Sequence, residues 1–209
     1  MIKILIVDDH AVVREGLKQI ISRTRDMAVA DEAENGREAL EKVLKKSYDV
    51  VILDISMPDT SGLDVLKEIK SHKPKVAVLM LTIHPEGQYA VRTLRAGASG
   101  YLTKKSAPDE LVEAIRKVSS GGRYITSSLA EKWAFSLGAN SKKPPHERLS
   151  DREYQVMCKL ASGKTAKEIA EEMFLSPITI SSYRSRIMEK MGMKNNVELA
   201  LYAIRNGLI

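Results

Sequence analysis

ILIVDDH at residues 4–10 and VVILD at residues 50–54 decide the fold: each is a short, unbroken apolar run that ends on acid. Continuous Val/Ile/Leu runs of this length read as parallel strands buried on both faces. Val76 to Leu81 is a third run and ends on Thr82, and the weaker Gly100-Tyr101-Leu102-Thr103 ends on Lys104. In open α/β sheets, ligands bind at the carboxyl ends of such strands. Acids, a hydroxyl and an ammonium are therefore expected to meet at one edge of one sheet.

Helical periodicity fills the gaps between the runs. Val12, Val13, Leu17, Ile20 and Ile21 share a helical face, as do Ala39, Leu40, Val43 and Leu44. A weak strand is expected at Met27 to Ala30, with helices at Leu63 to His72 and Gln88 to Arg95. Gly97 suits the left-handed stop of the latter. Ser106-Ala107-Pro108-Asp109 reads as a capping-box start for a helix reaching about Val118. Alternating strands and helices over residues 1–119 predict a doubly wound, five-stranded parallel α/β domain.

Beyond residue 119 the pattern changes. Gly121-Gly122 and the polar, Pro144-Pro145-containing stretch mark residues 120–146 as a linker, with a short helix around Leu129 to Leu137. Residues 147–209 hold no strand pattern. Ser150 with Glu153 and Thr165 with Glu168 form capping boxes, Ser176-Pro177 opens a third helix, and a fourth runs from about Val197 to Arg205. An all-α, four-helix domain is expected there.

Bulk numbers narrow the classes. The chain has 209 residues, 44% of them apolar and a net charge of +6. Residues 1–120 carry 19 Lys and Arg against 18 Asp and Glu, while residues 121–209 carry 14 against 9. The basic excess therefore sits in the C-terminal part, as a nucleic-acid partner requires, although an ordinary solvated surface would give the same count. No apolar stretch approaches the ~20 residues of a membrane span. Strand-like sequence begins at Ile2 and leaves no room for a signal peptide, so a cytoplasmic protein with no membrane partner is expected. The single Cys158 reads as a small buried hydrophobe.

Asp8, Asp9 and Asp54 crowded at one sheet edge would repel one another unless a cation sits among them. Hard oxygen ligands in small number suit Mg²⁺, which completes its shell with water and phosphate. Lys104 offers a point charge for a phosphoryl oxygen and Thr82 a hydroxyl donor. An Asp carboxylate can itself attack phosphorus to form an acyl phosphate. Each residue alone could be a cap, a turn former or a surface charge; their convergence on strand ends of one sheet is what argues for chemistry.

These segments, with VVILDISMPDTSGLD at 50–64, LMLT at 79–82 and GYLTK at 100–104, resemble the flavodoxin-like receiver domain of bacterial two-component response regulators over roughly residues 1–120. The resemblance implies that Asp54 accepts a phosphoryl group from a sensor histidine kinase. Asp8 and Asp9 would hold Mg²⁺ with Asp54 and the backbone carbonyl of Ser56. Thr82 and Lys104 would bind the phosphoryl group, and Tyr101 would turn inward when Thr82 engages it. Where the family often has Pro after the lysine, Lys105 stands, which puts the usual cis peptide in question because a non-proline cis bond costs ~3 kcal/mol.

In the C-terminal part, Thr165 to Ala170 followed by Phe174-Leu175-Ser176 reads as helix, tight turn, helix. At ~100° per residue, the third helix puts Ile180, Ile187 and Met191 on its core side with Tyr183 close by. Ile178, Ser182, Ser185 and Glu189 lie opposite, flanked by Ser181 and Arg186. Small polar residues edged by an arginine fit a DNA major groove. Arg184 falls nearer the core side and is expected to reach a phosphate. Residues 149–203 resemble the LuxR-type helix-turn-helix, and the tandem resembles the NarL/FixJ family of transcription regulators. By that resemblance Ser181, Ser182 and Ser185 contact bases, while Lys164, Thr165, Lys167 and Thr179 contact phosphates of double-stranded DNA. Many members carry Lys and His where this chain has Ser181 and Tyr183, a departure bearing on base preference.

The expected function is a DNA-binding response regulator, not an enzyme, that forms a homodimer when phosphorylated. Two rivals stand beside it. An Asp-nucleophile phosphatase would carry Asp-x-Asp on its first strand, where this chain has adjacent Asp8-Asp9. A receiver used purely as an interaction module would need no phosphate.

Overall fold

The computed structural model describes residues 1–57, 60–84, 86–106, 108–127, 129–131 and 144–209, with residues 87 and 88 described by backbone alone. It divides into two compact units, Met1–Ser136 and Leu137–Ile209.

The first unit is a five-stranded sheet of β1 (Ile2–Val7), β2 (Met27–Ala33), β3 (Val50–Leu53), β4 (Ala77–Thr82) and β5 (Gly100–Thr103). The strand order is β2-β1-β3-β4-β5 and every pairing is parallel. Helices α1 (Ala11–Ser22), α2 (Gly36–Lys45), α3 (Gly62–His72), α4 (Glu86–Arg95) and α5 (Pro108–Ser119) connect the strands. Ile4, Ile6, Val50, Ile52, Leu79 and Leu81 form one core with Leu17 and Ile21 of α1 and Leu111, Ala114, Ile115 and Val118 of α5. The alternate residues Leu5, Val51, Leu53, Val78 and Met80 are just as buried, so both sheet faces are covered.

Three expectations need correction. The second strand continues to Ala33, because β1 pairs with it from Ile2↔Met27 to Val7↔Ala33 across a register shift at Ile4/Leu5. Its polar Asp31 and Glu32, both only partly buried, hide an edge strand. Val12 is 85% exposed and Leu44 52% exposed, so neither belongs to its helix's inner face. Arg14 is buried on α1 instead.

The segment after α5 packs on the first unit. Tyr124 bridges Gly100 in parallel, and its backbone bonds with Ser99 and Tyr101 extend the β5 edge. Residues 129–131 are helical and Leu129 is fully buried. The rest of the short helix expected to Leu137 lies outside the described residues.

After a 3-10 turn at Pro145–Arg148, the second unit comprises α6 (Asp151–Ala161), α7 (Ala166–Met173), α8 (Pro177–Met191) and α9 (Asn196–Arg205). The Ser150–Glu153 and Thr165–Glu168 capping boxes are both formed. Tyr154, Met157, Leu160, Ile169, Ile180, Ile187 and Leu199 make its core. No helix among the described residues is long and apolar enough to cross a membrane.

Candidate functional site

β1 and β3 lie side by side, so the residues just beyond them share one sheet edge. Asp54 donates its backbone N–H to Val7 O at 3.0 Å, and Asp8 donates to Ala33 O at 3.2 Å. Both carboxylates are only 2% exposed. Buried charge requires a partner, and Lys104 supplies it from the end of β5. Its Nζ lies 2.6 Å from Asp8 Oδ2 and 2.7 Å from Asp54 Oδ2. Burial alone would lower the Lys104 pKa, but Asp54 and Asp8 outweigh it and hold the ammonium above its ordinary value.

Thr82, fully buried at the end of β4, accepts the backbone N–H of His84 at 3.4 Å, while its carbonyl accepts that of Lys104 at 2.7 Å. Ser56 donates its N–H to Asp54 Oδ1 at 3.3 Å, and its hydroxyl is 2.8 Å from His84 Nε2. Tyr101 is fully buried and its hydroxyl donates to His84 O at 3.0 Å. Burial first, then the charges of Glu86 and Asp54, push the Tyr101 phenol well above its usual range. Asp8, Asp9, Asp54, Ser56, Thr82, Tyr101 and Lys104 are thus brought to one place. No described peptide bond is cis, Lys104–Lys105 included.

One ligand atom each from Asp8, Asp9, His10 and Asp54 lies within 4.8 Å of the others. Asp9 Oδ1 is buried and makes no hydrogen bond among the described residues. It lies 2.8 Å from His10 Nδ1, an ion pair when the imidazole is protonated. An orphaned oxygen among carboxylates fits a small, hard divalent cation, so this acidic cluster can bind a metal.

Sequence reasoning did not single out Arg14, His84 or Gly62. Arg14 donates to Asp8 O at 2.8 Å, to Glu32 at 3.1 Å and to Glu34 at 2.8 Å, tying the acidic corner to β2. The signal was a charge at an inward position of an otherwise apolar helical face. His84 joins Ser56, Thr82 and Tyr101 through backbone and ring, which nothing in its sequence surroundings announces. Gly62 opens α3 so close to the pocket that a Cβ there would lie 1.9 Å from Asp54 O.

In the second unit, α8 follows the tight turn at Phe174, which adopts φ 53°. Ile180, Ile187 and Met191 are buried as the helical arithmetic requires, and Ile178, Ser182, Ser185 and Glu189 are exposed. Ser181 and Ser182 donate their hydroxyls to Pro177 O and Ile178 O, each at 3.0 Å. Thr179 lies beside the Ser176 cap, and Arg186 and Lys167 are exposed. Thr165 is the cap of α7 and Lys164 pairs with Glu172. Arg184 is half-buried, with Nε donating to Asn196 Oδ1 at 2.8 Å. Its terminal nitrogens remain the groups that can reach outward. The first turn of α8 holds no acid, unlike those of α6, α7 and α9, so its positive dipole end has no acidic counter-charge there.

Comparison with known proteins agrees with both units. Residues 4–116 match the response regulator receiver domain, and residues 147–203 match bacterial regulatory proteins of the luxR family. The chain is 40% identical to the response regulator UvrY of Escherichia coli K12 over 209 residues, all of this chain and 96% of that protein. It is 35% identical to the response regulator GacA of Pseudomonas aeruginosa over 210 residues, 100% of this chain and 98% of that one. RcsB of Salmonella enterica serovar Typhimurium, solved bound to promoter rprA with the phosphomimetic BeF3-, is similar with a TM-score of 0.66 and 27% identity. That alignment covers 96% of this chain and 97% of RcsB. The chain belongs to the NarL/FixJ family of response regulators, and it is a phosphorylation-activated, DNA-binding transcription factor rather than an enzyme.

Proposed function

We propose that Asp54 is the phosphoacceptor of a receiver domain spanning residues 1–119, joined through residues 120–146 to a DNA-binding domain at 147–209. The observation that carries this reading is the Lys104 ammonium, held within 2.7 Å of both Asp8 and Asp54 at the carboxyl ends of β1, β3 and β5. A sensor histidine kinase is the donor. One Asp54 carboxylate oxygen attacks the phosphorus of the donor's phosphohistidine, the P–N bond breaks, and its electron pair leaves on the imidazole. Mg²⁺, when held by Asp8, Asp9, Asp54 and the Ser56 carbonyl, neutralises charge on the phosphoryl oxygens.

Lys104 then moves its charge from the free carboxylate to a phosphoryl oxygen, and the Thr82 hydroxyl donates to another. Tyr101 and His84 register that change, since His84 already links the Thr82 hydroxyl, Ser56 and the Tyr101 phenol. The local charge change biases a two-state element, and the active form is a homodimer. An isologous dimer needs a self-complementary patch. Val197, Leu201 and Ile204 lie one above another on α9 and are 68%, 49% and 62% exposed, which supports that helix as a seam.

On double-stranded DNA, α8 enters the major groove with Ser181, Ser182 and Ser185 at base edges. Lys164, Thr165, Lys167, Thr179, Arg184 and Arg186 serve phosphates, with Arg186 near enough to the base-reading face to reach both. This partner places the protein in the bacterial cytoplasm. Acetyl phosphate with Mg²⁺ is expected to add the mass of one phosphoryl group to the wild-type chain and none to Asp54→Asn. No gain on the wild type would favour a phosphate-independent interaction module.

A further inference from the structure

We propose that Ile178 is a specificity-determining residue that packs on the C5-methyl group of a thymine in each half-site. The inference rests on the DNA-binding reading of α8 and adds a residue and a base to it. Ile178 is 79% exposed in the first turn of α8. Folding does not account for that exposure, because burying an isoleucine would stabilise the unit and its near neighbour Ile180 is fully buried. One turn on from Ile178 stands Ser182, with Ser181 beside it, both exposed. Residues three and four apart share a helix face, so the isoleucine extends the serine face toward the helix N-terminus. The N-terminal residues of a recognition helix are those that meet base edges.

The serines limit what the face can read. Their hydroxyl protons are already given to Pro177 O and Ile178 O. What each Oγ still offers outward is lone pairs. In the major groove the matching donors are the amino groups of adenine N6 and cytosine N4. An apolar side chain beside them has one apolar partner among natural bases, the thymine methyl. Acceptor serines next to an exposed isoleucine therefore favour an A·T pair under the first two turns of α8.

The test uses the full chain phosphorylated with acetyl phosphate. Duplexes are first selected from a randomised pool, and each thymine of the selected duplex is then replaced by deoxyuridine, which lacks only the methyl. Wild-type binding is expected to weaken about fourfold at one thymine per half-site, the loss matching one apolar carbon removed from contact. Ile178→Ala should erase that sensitivity while leaving the profile elsewhere and the melting temperature unchanged, and Ile178→Val should keep part of it. The same uracil profile in Ile178→Ala, or no sensitive thymine in wild type, overturns the inference and leaves the DNA-binding reading standing. Failure to enrich any duplex overturns both.

Discussion

Lys104 shows how much one side chain can decide. Its ammonium is the cation that the described structure sets between two carboxylates that water barely reaches. Lys104→Met should destabilise the first unit in metal-free buffer by about 3 kcal/mol, the low side of what removing one partner of a buried pair costs. Added Mg²⁺ should recover part of that in thermal melts, and equal melts with and without the ion would argue against a metal at Asp8, Asp9 and Asp54. Phe174 is the opposite case. It is 77% exposed and held at φ 53°, so it gains little packing in return for a left-handed conformation. Phe174→Gly should stabilise the second unit by up to about 1 kcal/mol in denaturant unfolding. At the DNA face, Arg186→Ala should lower affinity uniformly and flatten its salt dependence, or relax sequence preference if the guanidinium reads a base. Unchanged affinity and footprint would remove Arg186 from the interface.

At the scale of elements, the strands feeding the pocket were plain in the sequence because doubly buried strands are written as unbroken apolar runs. Their terminal acids, hydroxyl and lysine came with them. The second strand was harder, since Asp31 and Glu32 on an edge look like loop. So was the Tyr124 bridge, a single pairing with no periodicity to betray it. Val12 and Leu44 misled because apolarity at helical spacing says nothing about where the inner face ends. Gly62 lay inside a quoted motif, but its reason is steric and needs the backbone of Asp54 to be seen. Gly62→Ala must push α3 away from that carbonyl, so a loss of about 1–3 kcal/mol and slower phosphorylation are expected together.

In α6, Glu153 both closes the capping box and receives Lys190 at 2.7 Å. Burial would raise its pKa, but the Lys190 ammonium and the Ser150 donors prevail and lower it. A carboxylate with a depressed pKa contributes stability above its unfolded pKa, about 4.3, and that contribution is lost as pH falls through the folded value. Glu153→Gln should therefore flatten the acid limb of the second unit's stability curve below about pH 4.3 and lower its plateau.

For the whole molecule, the sequence placed a phosphate-handling sheet edge and a DNA-reading helix in one chain, and the chain belongs to a family in which the two are coupled. Neither unit alone explains the other: on the proposed reading the pocket takes its phosphoryl group on Asp54, and α8 needs no phosphate to be a helix. Their connection is a free energy, and a coupling of this kind is worth about 5- to 150-fold in affinity. The decisive measurement is the affinity of the full chain for a selected duplex, with and without acetyl phosphate and Mg²⁺, in wild type and Asp54→Asn, each checked by intact mass. Wild type should gain one phosphoryl group and bind within that range more tightly, while Asp54→Asn gains neither. A wild-type chain that is phosphorylated yet binds DNA no better, or an Asp54→Asn chain that is stimulated equally, would contradict the account.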